Sequence, residues 1–321
     1  MKKCVFILPY FGRFNNYFNL FLYSCKNNPT YNWMIFTDDR RKFKYPENVE
    51  VIYCSFDDFR RKIQDKFDFE IVLPNPYKLC DFKPTYGYVL KEYIENYEYW
   101  GFCDCDVIFG NLDKFLTNIL KSDYDKIFSL GHLTIFKNTD DNNRMFMNEY
   151  NGKKLYRNFL TTSDICWFDE DWKKDNIHSI FLNNKKRVYS DCLAFNPSGK
   201  YIKFVQRIYD SNKRVFFDEE KTDSVCYYFN GNIYRLRKEN GTIISDEFLY
   251  VHLQHRKMVN YISDSFCSNF LILPNEFIKL QCSDINYIFN KYKMIRWSGI
   301  KWFLNIYKNK IKRKLRIGGN L

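Results

Sequence analysis

Two aspartates spaced two residues apart, Asp104 and Asp106, are the side chains in this sequence best suited to holding a metal ion. Apolar runs at residues 99–102 and 107–109 surround them and predict a buried strand that ends at the pair. Residues i and i+2 of a strand point to the same face, so the two carboxylates would project together. Buried carboxylates are costly without a cation, and ligands bind at strand ends of α/β sheets. The pair therefore predicts a divalent metal site.

Two other Asp-x-Asp triplets fit this chemistry less well. Asp123 and Asp125 follow Lys121 and Ser122 in a polar turn, where solvated carboxylates are expected. The triplet at residues 169–171 lies in the polar, mixed segment 138–184, which suits an acceptor-facing insertion better than a sheet core. The flanking apolar runs therefore single out Asp104 and Asp106, where metal binding is favoured over a structural role.

The elements around the pair alternate between strand and helix. Apolar runs of strand length lie at residues 4–8, 33–37, 49–53, 126–129 and 133–136. Helical spacing is found at 14–25, at 55–67 with Ser55 as N-cap, and from Pro84 onward. This alternation predicts an α/β fold, with a mixed, mainly parallel sheet flanked by helices. Later in the chain, Asn230-Gly231 predicts a hairpin and residues 248–253 a strand.

The C-terminal tail carries most of the net charge of +12. After Asp284 the chain has ten basic residues and no acidic one, so the rest is close to neutral. Apolar residues three or four apart form a stripe made of Trp297, Ile300, Leu304, Tyr307, Ile311 and Leu315. We predict an amphipathic helix, at residues 291–321, lying on an anionic membrane surface. The alternative is a helix packed on the domain with a solvated basic face. No recognised motif accompanies the charge, so nucleic acid is not expected as a partner.

The eleven cysteines follow no repeating pattern, and the short apolar start has no cleavage site after it. These features predict free thiols and a cytoplasmic protein, held peripherally on the inner face of the cell membrane. No apolar run has the length of a transmembrane helix.

Residues 99–112 resemble the Asp-x-Asp strand of GT-A glycosyltransferases. More narrowly, the chain is similar to a family found in bacterial capsule, O-antigen and exopolysaccharide gene clusters. Four further segments carry this resemblance, namely residues 8–12, 78–87, 131–133 with Asn138, and 252–256. The resemblance implies a GT-A (Rossmann-like) fold, a UDP-sugar donor, and Mn²⁺ or Mg²⁺ as cofactor.

The resemblance also implies roles for individual residues. Asp106 would ligate the metal, and Asp104 would contact the ribose or a metal-bound water. The first loop, with Pro9, Tyr10 and Gly12, would lie against the nucleotide. Asp38 would accept the N3–H of uracil.

Two histidines, one arginine and one lysine extend the expected site. His252, at the end of the late strand, is the candidate third metal ligand, although a core histidine is the alternative. Arg256 could clamp the diphosphate or be a solvated cation. Lys83 could contact phosphate or pair with Asp81. His132 could touch the donor sugar or the acceptor, or be structural.

An inverting enzyme needs a carboxylate to take the proton of the acceptor hydroxyl. The segment 168–170 resembles the place where related enzymes carry it, so Asp169 is the first candidate, Glu170 the second and Asp191 the third. A retaining enzyme would need no such base, and the sequence leaves the stereochemistry open.

These observations predict a metal-dependent glycosyltransferase that moves a hexose or N-acetylhexosamine from a UDP-sugar to a lipid-linked oligosaccharide in bacterial surface polysaccharide synthesis. One domain would span residues 1–290, with a nucleotide-binding part at about 1–137 and an acceptor-facing part at about 138–260. The alternatives are a metal-dependent nucleotidyltransferase or phosphodiesterase, and a non-enzymatic membrane or nucleic-acid binding module that uses the tail.

Overall fold

The computed structural model describes residues 2–254, 256–262 and 267–317, without the side chains of 310 and 312–317. His255 of the segment 252–256, the side chain of Leu315 and the last four tail residues lie outside that part. The strands, in chain order, are β1 (Lys2–Pro9), β2 (Tyr31–Thr37), β3 (Val49–Tyr53), β4 (Tyr97–Cys103), β5 (Val107–Phe109), β6 (Lys126–Ile127), β7 (Leu133–Lys137), β8 (Val188–Tyr189), β9 (Ala194–Phe195), β10 (Arg207–Asp210), β11 (Val215–Asp218), β12 (Ser224–Phe229), β13 (Asn232–Glu239), β14 (Thr242–Phe248), β15 (Tyr250–His252), β16 (Val259–Asn260), β17 (Asn269–Leu273) and β18 (Glu276–Lys279).

The helices complete the set of elements. They are α1 (Phe18–Lys26), α2 (Phe56–Gln64), α3 (Tyr86–Val89), α4 (Lys91–Ile94), α5 (Leu112–Lys121), α6 (Asp140–Arg144), α7 (Leu155–Leu160), α8 (Ile177–Asn183), α9 (Ile285–Tyr292) and α10 (Trp297–Ile317). Two 3₁₀ segments lie at Pro76–Thr85 and Met145–Met147.

The chain forms two compact units. The first consists of Met1–Val107, Leu112–Cys192 and Tyr209–Phe216, and the second of Ile108–Asn111, Leu193–Ile208 and Phe217–Leu321. The boundaries expected at 137, 260 and 290 divide the chain by function rather than by compactness, and they stay predictions.

A seven-stranded sheet with the order β3-β2-β1-β4-β7-β6-β8 forms the centre of the first unit. β1 pairs in parallel with β2 and β4, and β2 pairs in parallel with β3. β7 runs antiparallel to both β4 and β6, so the sheet is mixed. The expected α/β fold with a mainly parallel central sheet flanked by helices is confirmed.

Helices cover this sheet because packing on it removes their apolar faces from water. Phe59 and Ile63 of α2 and Ile177, Ile180 and Phe181 of α8 belong to the same buried core as the strands. The segment 138–184, predicted to be a polar insertion, therefore also supplies core. α2 begins as expected at Ser55, whose side chain caps the helix reciprocally with Asp58.

Two predictions about helices were wrong. Pro84 does not open a helix but lies inside the 3₁₀ segment Pro76–Thr85, and short helices follow it. α1 starts at Phe18 rather than near residue 14 because residues 14–17 belong to the loop after β1.

The second unit is built on a six-stranded sheet with the order β14-β13-β12-β17-β18-β16. The hairpin predicted at Asn230-Gly231 is confirmed, since Phe229 pairs with Asn232 and both loop residues have positive φ, 47° and 84°. Strands β16, β17 and β18 were not predicted. A separate three-stranded sheet has the order β5-β15-β9.

Helix α10 is the predicted tail helix. Four members of its apolar stripe, Trp297, Leu304, Tyr307 and Ile311, are between 48% and 73% exposed. Trp302, outside the stripe, lies 4.2 Å from the Arg256 guanidinium. Within the part of the chain that the structure describes, no helix is both long and apolar enough to span a bilayer.

Candidate functional site

The carboxyl ends of β1, β2 and β4 meet at one edge of the central sheet, because these neighbouring strands are parallel. The residues that follow the three strands are 10–12, Asp38 with Asp39, and 104–106. This edge therefore holds the first loop, Asp38 and the acidic pair, all of which were predicted to bind the nucleotide or the metal. Loops at such an edge are where open α/β sheets bind ligands.

The loop after β1 is fastened to the end of β2 by two carboxylates. The Gly12 N–H donates to Asp38 Oδ1 at 2.6 Å, and Gly12 has φ 101°, which favours glycine. The Phe14 N–H donates to Asp39 Oδ2 at 3.0 Å. The Arg41 guanidinium beside Asp39 holds the pKa of that carboxyl down at about 2. Asp39 is thus a buried structural clamp, whereas Asp38 is exposed at the edge of the site.

The acidic pair lies in a turn rather than in a strand. β4 ends at Cys103, and residues 104–106 form the connection to β5, so the strand alternation assumed for the pair was wrong. The expected separation of faces nevertheless holds, because Cys103 and Cys105 are buried while Asp104 and Asp106 are half-exposed. The Asp104 N–H donates to the His132 carbonyl at 3.1 Å, which fixes the turn.

The first loop packs on this turn. Asn15 Nδ2 donates to the Cys105 carbonyl at 3.2 Å. Burial raises the pKa of Tyr10 to about 12, and Cys105 and Asp106 raise it further. Tyr10 also stacks on Phe14, with ring centroids 4.7 Å apart. The loop that carries Tyr10 thus packs on the acidic turn.

Lys83 joins the turn to a second acidic pair. Its ammonium lies 2.9 Å from Asp104 Oδ1, 3.1 Å from Asp169 Oδ2 and 2.8 Å from the Gly131 carbonyl. Burial opposes its charge, but Asp104 and Asp169 outweigh burial and raise the pKa of Lys83 well above its usual value. The alternative pairing with Asp81 is wrong, because Asp81 pairs with Lys78 at 2.7 Å.

Asp169 and Glu170 form the second acidic pair, behind the Lys83 ammonium. Asp169 is 2% exposed, and its Oδ1 has no hydrogen-bond partner among the residues that the structure describes. Glu170 remains partly exposed. Burial raises the pKa of both carboxyls, and the Asp169 charge raises that of Glu170 further. A Cβ at Gly131 would overlap both carboxylates, so this position requires glycine.

The loop that carries Asp169 and Glu170 is anchored by a buried ion pair between Lys78 and Asp81, which was not predicted from the sequence. The Asp81 carboxylate accepts the Cys166 N–H at 2.8 Å and the Phe168 N–H at 2.9 Å, and Lys78 donates to Asp81 and to the Asp164 carbonyl. Both Lys78 and Asp81 are fully buried. The i, i+3 spacing of opposite charges beside an apolar residue was the available signal.

Asp171 continues the acidic run into a second buried network. Tyr209 donates to its Oδ2 at 2.9 Å, and the Arg214 Nε lies 3.5 Å from its Oδ1. Lys126 Nζ lies 3.3 Å from His178 Nδ1, and both are buried. Burial lowers the pKa of Lys126 to about 7 and that of His178 to about 2. This network holds the segment at Asp171, directly after Asp169 and Glu170.

The remaining predicted site residues lie in varied settings. His132 is buried, and its carbonyl accepts the Asp104 N–H. Asp191 is exposed, two residues after β8. His252 is the half-buried last residue of β15, in the second unit. Its metal-binding role stays a prediction.

Arg256, also in the second unit, is 4% exposed and already has internal partners. Its Nη1 donates to Asn275 Oδ1 at 3.0 Å, and its Nη2 donates to the carbonyls of Ser198 and Tyr201. A diphosphate contact would have to replace these bonds, and this role stays a prediction.

A model of a protein family, described as a family of unknown function (DUF6625), matches residues 6–281. No curated protein matches the chain significantly. Among solved structures, the chain is similar to the galactosyltransferase LgtC in complex with donor and acceptor sugar analogs, with 12% identity, 61% of this chain and 76% of that chain covered, and a TM-score of 0.31. An active-site mutant of LgtC gives 11% identity, 61% and 75% coverage, and a TM-score of 0.33.

Proposed function

This chain belongs to the family of unknown function DUF6625, and we propose that it is a metal-dependent glycosyltransferase with a nucleotide-sugar donor. The observation that carries the proposal is the Asp104–Asp106 turn at the carboxyl edge of parallel strands, with an aromatic loop packed on it. Lys83, the buried Asp169 carboxyl and the partly exposed Glu170 carboxyl lie behind the same turn. The sequence resemblance to GT-A enzymes supports the same reaction.

The donor set of the turn fits Mn²⁺ or Mg²⁺, because both ions prefer carboxylate oxygens and the two side chains are half-exposed. The two aspartates are not equivalent, since Lys83 occupies Asp104 Oδ1. We assign Asp106 as the principal ligand and Asp104 as a contact of the ribose or a metal-bound water. When bound, the ion would neutralise charge on the departing diphosphate.

The loop after β1 would hold the nucleotide. Pro9 ends the strand, Tyr10 offers a ring in the loop that packs on the acidic turn, and the Gly12 N–H fixes the orientation of the Asp38 carboxylate. An oriented carboxylate at the exposed edge suits the N3–H of uracil, so UDP is the proposed carrier. Lys83 would reach a phosphate oxygen by exchanging one of its carboxylate contacts.

Asp169 and Glu170 would handle the acceptor proton if the reaction inverts. Their raised pKa values bring proton uptake toward neutral pH, where a general base works best. Glu170 is the more exposed and can reach a hydroxyl, whereas Asp169 is ion-paired with Lys83. We therefore assign proton uptake to the pair, with Glu170 as the member that faces the acceptor.

The acceptor side of the proposal rests on α10. Its exposed Trp297, Leu304 and Tyr307, in a helix rich in basic residues, suit an anionic bilayer. This arrangement favours peripheral attachment at the cytoplasmic face of the membrane, where a lipid-linked oligosaccharide would receive a hexose or N-acetylhexosamine during bacterial surface polysaccharide synthesis.

A screen of nucleotide-sugars for Mn²⁺-dependent turnover tests this function. We expect release of UDP from one of them, loss of this release in Asp106→Asn, and wild-type release in Asp123→Asn. Asp123 is the matched control because it belongs to another Asp-x-Asp triplet, where it pairs with Lys137 in an exposed turn. Turnover that survives in Asp106→Asn, or that is absent with every nucleotide-sugar, would overturn the proposal.

A further inference from the structure

Trp167 combines two energetically unfavourable features. Its φ is 56°, in the left-handed region that bulky side chains avoid, and its side chain is 37% exposed to water. Neither feature helps the fold, since a glycine would fit the backbone and a polar residue would suit the exposure. Strain of this kind persists only where the surrounding structure imposes it, and it concentrates at functional sites.

The surroundings of Trp167 do impose it. The amides on either side, of Cys166 and Phe168, both donate to the buried Asp81 carboxylate. Phe168 is fully buried, and its carbonyl accepts the Ile177 N–H at 2.9 Å. The backbone is therefore held on both sides of Trp167, and the indole between them is turned outward on a fixed support.

A second indole and a cation complete the cluster. The Trp172 and Trp167 ring centroids are 5.2 Å apart at an interplanar angle of 61°. The Lys173 ammonium lies 5.1 Å from the Trp167 ring and 4.3 Å from the Trp172 ring. In the part of the chain that the structure describes, no carboxylate forms an ion pair with Lys173. The aromatic faces thus hold an exposed positive charge that is available to an anion.

The cluster lies next to the residues assigned to proton uptake. The Trp167 carbonyl accepts the Glu170 N–H at 3.1 Å, so one short turn joins the indole to Asp169 and Glu170. We propose that Trp167, Trp172 and Lys173 form the acceptor subsite, and that this subsite binds a sugar unit carrying an anionic group. The inference rests on the proposed glycosyltransferase function and names the chemical class of its acceptor.

The chemistry of each part fits such a sugar. The apolar C–H face of a pyranose gains most when it covers an exposed, rigid ring, because water leaves both surfaces. A carboxylate or phosphate on that sugar would meet the Lys173 ammonium, which the indoles already hold in place. The fixed support means that little conformational freedom is lost on binding.

A glycan array with neutral oligosaccharides and their uronate-containing counterparts tests the inference on the full chain, with UDP and Mn²⁺ present. The wild-type protein should bind uronate-containing glycans more tightly than the neutral ones. Trp167→Ala should weaken binding about tenfold or more, as for loss of one aromatic contact surface. Trp167→Phe should retain most of the affinity, and Lys173→Gln should remove the preference for the uronate.

Trp167→Gly separates this role from a structural one. Glycine and alanine both remove the indole, but only glycine relieves the positive φ. The melting temperature of Trp167→Gly should therefore exceed that of Trp167→Ala, while glycan binding is lost in both. Lys185→Gly is the matched control, because Lys185 has φ 55° and is exposed at the end of α8. That variant should melt above Lys185→Ala and bind glycans as wild type does.

The outcomes distinguish this inference from the function on which it rests. Binding of UDP with Mn²⁺, without glycan binding that depends on Trp167, would overturn the subsite alone. Preference for neutral glycans, or one that survives in Lys173→Gln, would overturn the anionic assignment. Loss of UDP binding throughout would overturn the proposed function, while Trp167-dependent glycan binding would still support the subsite.

Discussion

Replacing Lys83 by methionine removes the ammonium that faces two carboxylates, Asp104 at 2.9 Å and Asp169 at 3.1 Å. The Asp169 side chain is 2% exposed and that of Lys83 15%, so water cannot fully replace the lost partner. Breaking a buried ion pair from one side costs about 3–5 kcal/mol. The Asp104 side chain is 35% exposed, so its share is screened by solvent. We expect a loss near the lower end, about 3 kcal/mol of unfolding free energy at pH 8.

The loss should shrink as the pH falls. Burial already raises the pKa of Asp169, and removing Lys83 raises it further. Because the folded variant then binds a proton that the unfolded chain releases near pH 4, acid stabilises the folded state. The unfolding free energy of Lys83→Met should therefore approach that of wild type between pH 8 and pH 5.

Urea unfolding across this pH range measures the effect. Lys137→Met is the matched control, since Lys137 pairs with the exposed Asp123 at 2.6 Å and should change stability by no more than about 0.5 kcal/mol. Adding Asp169→Asn to Lys83→Met should recover at least half of the loss at pH 8. If Lys83→Met loses less than about 1 kcal/mol of unfolding free energy at pH 8, or loses the same amount at every pH, then Lys83 does not neutralise a buried Asp169 charge.

Three further predictions concern other parts of the molecule. Gly131→Ala would press a methyl group against Asp169 and Glu170, so urea unfolding should show a loss of about 1–3 kcal/mol, whereas Gly199→Ala, with open space around it, should be neutral. Burial lowers the pKa of Lys126 to about 7, so between pH 7 and pH 10.5 the unfolded chain binds more protons than the folded chain, and the unfolding free energy should rise with pH. Lys126→Met should lose this rise, and an unchanged pH dependence in Lys126→Met would contradict the prediction. Leu304→Glu should weaken co-sedimentation with anionic vesicles severalfold, and Asn305→Glu, which adds the same charge off the apolar stripe, should weaken it much less; equal effects would count against membrane attachment through the stripe.

The sequence predicted the middle strands of the central sheet well because β1, β2 and β4 are buried on both faces. Runs such as Cys4 to Leu8 are apolar throughout, which distinguishes a buried parallel strand without reference to other elements. The Asn230-Gly231 hairpin was equally local, since two residues with positive φ define the turn. Strands β17 and β18 were missed although they form a local hairpin, in which Leu273 pairs with Glu276. Strand β16 has only two residues, too few for a pattern.

The helix expected at Pro84 failed for a tertiary reason. Residues 76–85 wind as a 3₁₀ segment, so that Lys78 and Asp81 form a buried pair while Lys83 meets Asp104 and Asp169. Helical spacing of aromatic residues was present, but the ion pairs of Lys83 with the distant Asp104 and Asp169 hold the segment in another conformation. Such contacts join residues up to 86 positions apart and leave no local pattern.

The site was predicted in its parts but not in its connections. Asp104 and Asp106 were recognised because they follow an apolar strand, whereas the resemblance to GT-A enzymes pointed to Asp38 and the loop at Gly12. The joining of Asp104 to Asp169 through Lys83 could not be read from spacing, since the two acids lie in separate loops. Trp167 was not recognised either, because its positive φ and its exposure are properties of the folded loop.

The most direct test of the central claim is a titration of UDP into the protein with and without Mn²⁺. We expect saturable UDP binding that requires the metal. The affinity for UDP should fall about 100-fold in Asp106→Asn, equivalent to about 2.8 kcal/mol. Asp123→Asn should bind UDP with the affinity of wild type. UDP binding that is independent of Mn²⁺, or equal in Asp106→Asn and wild type, would contradict the assignment of this turn as a donor site.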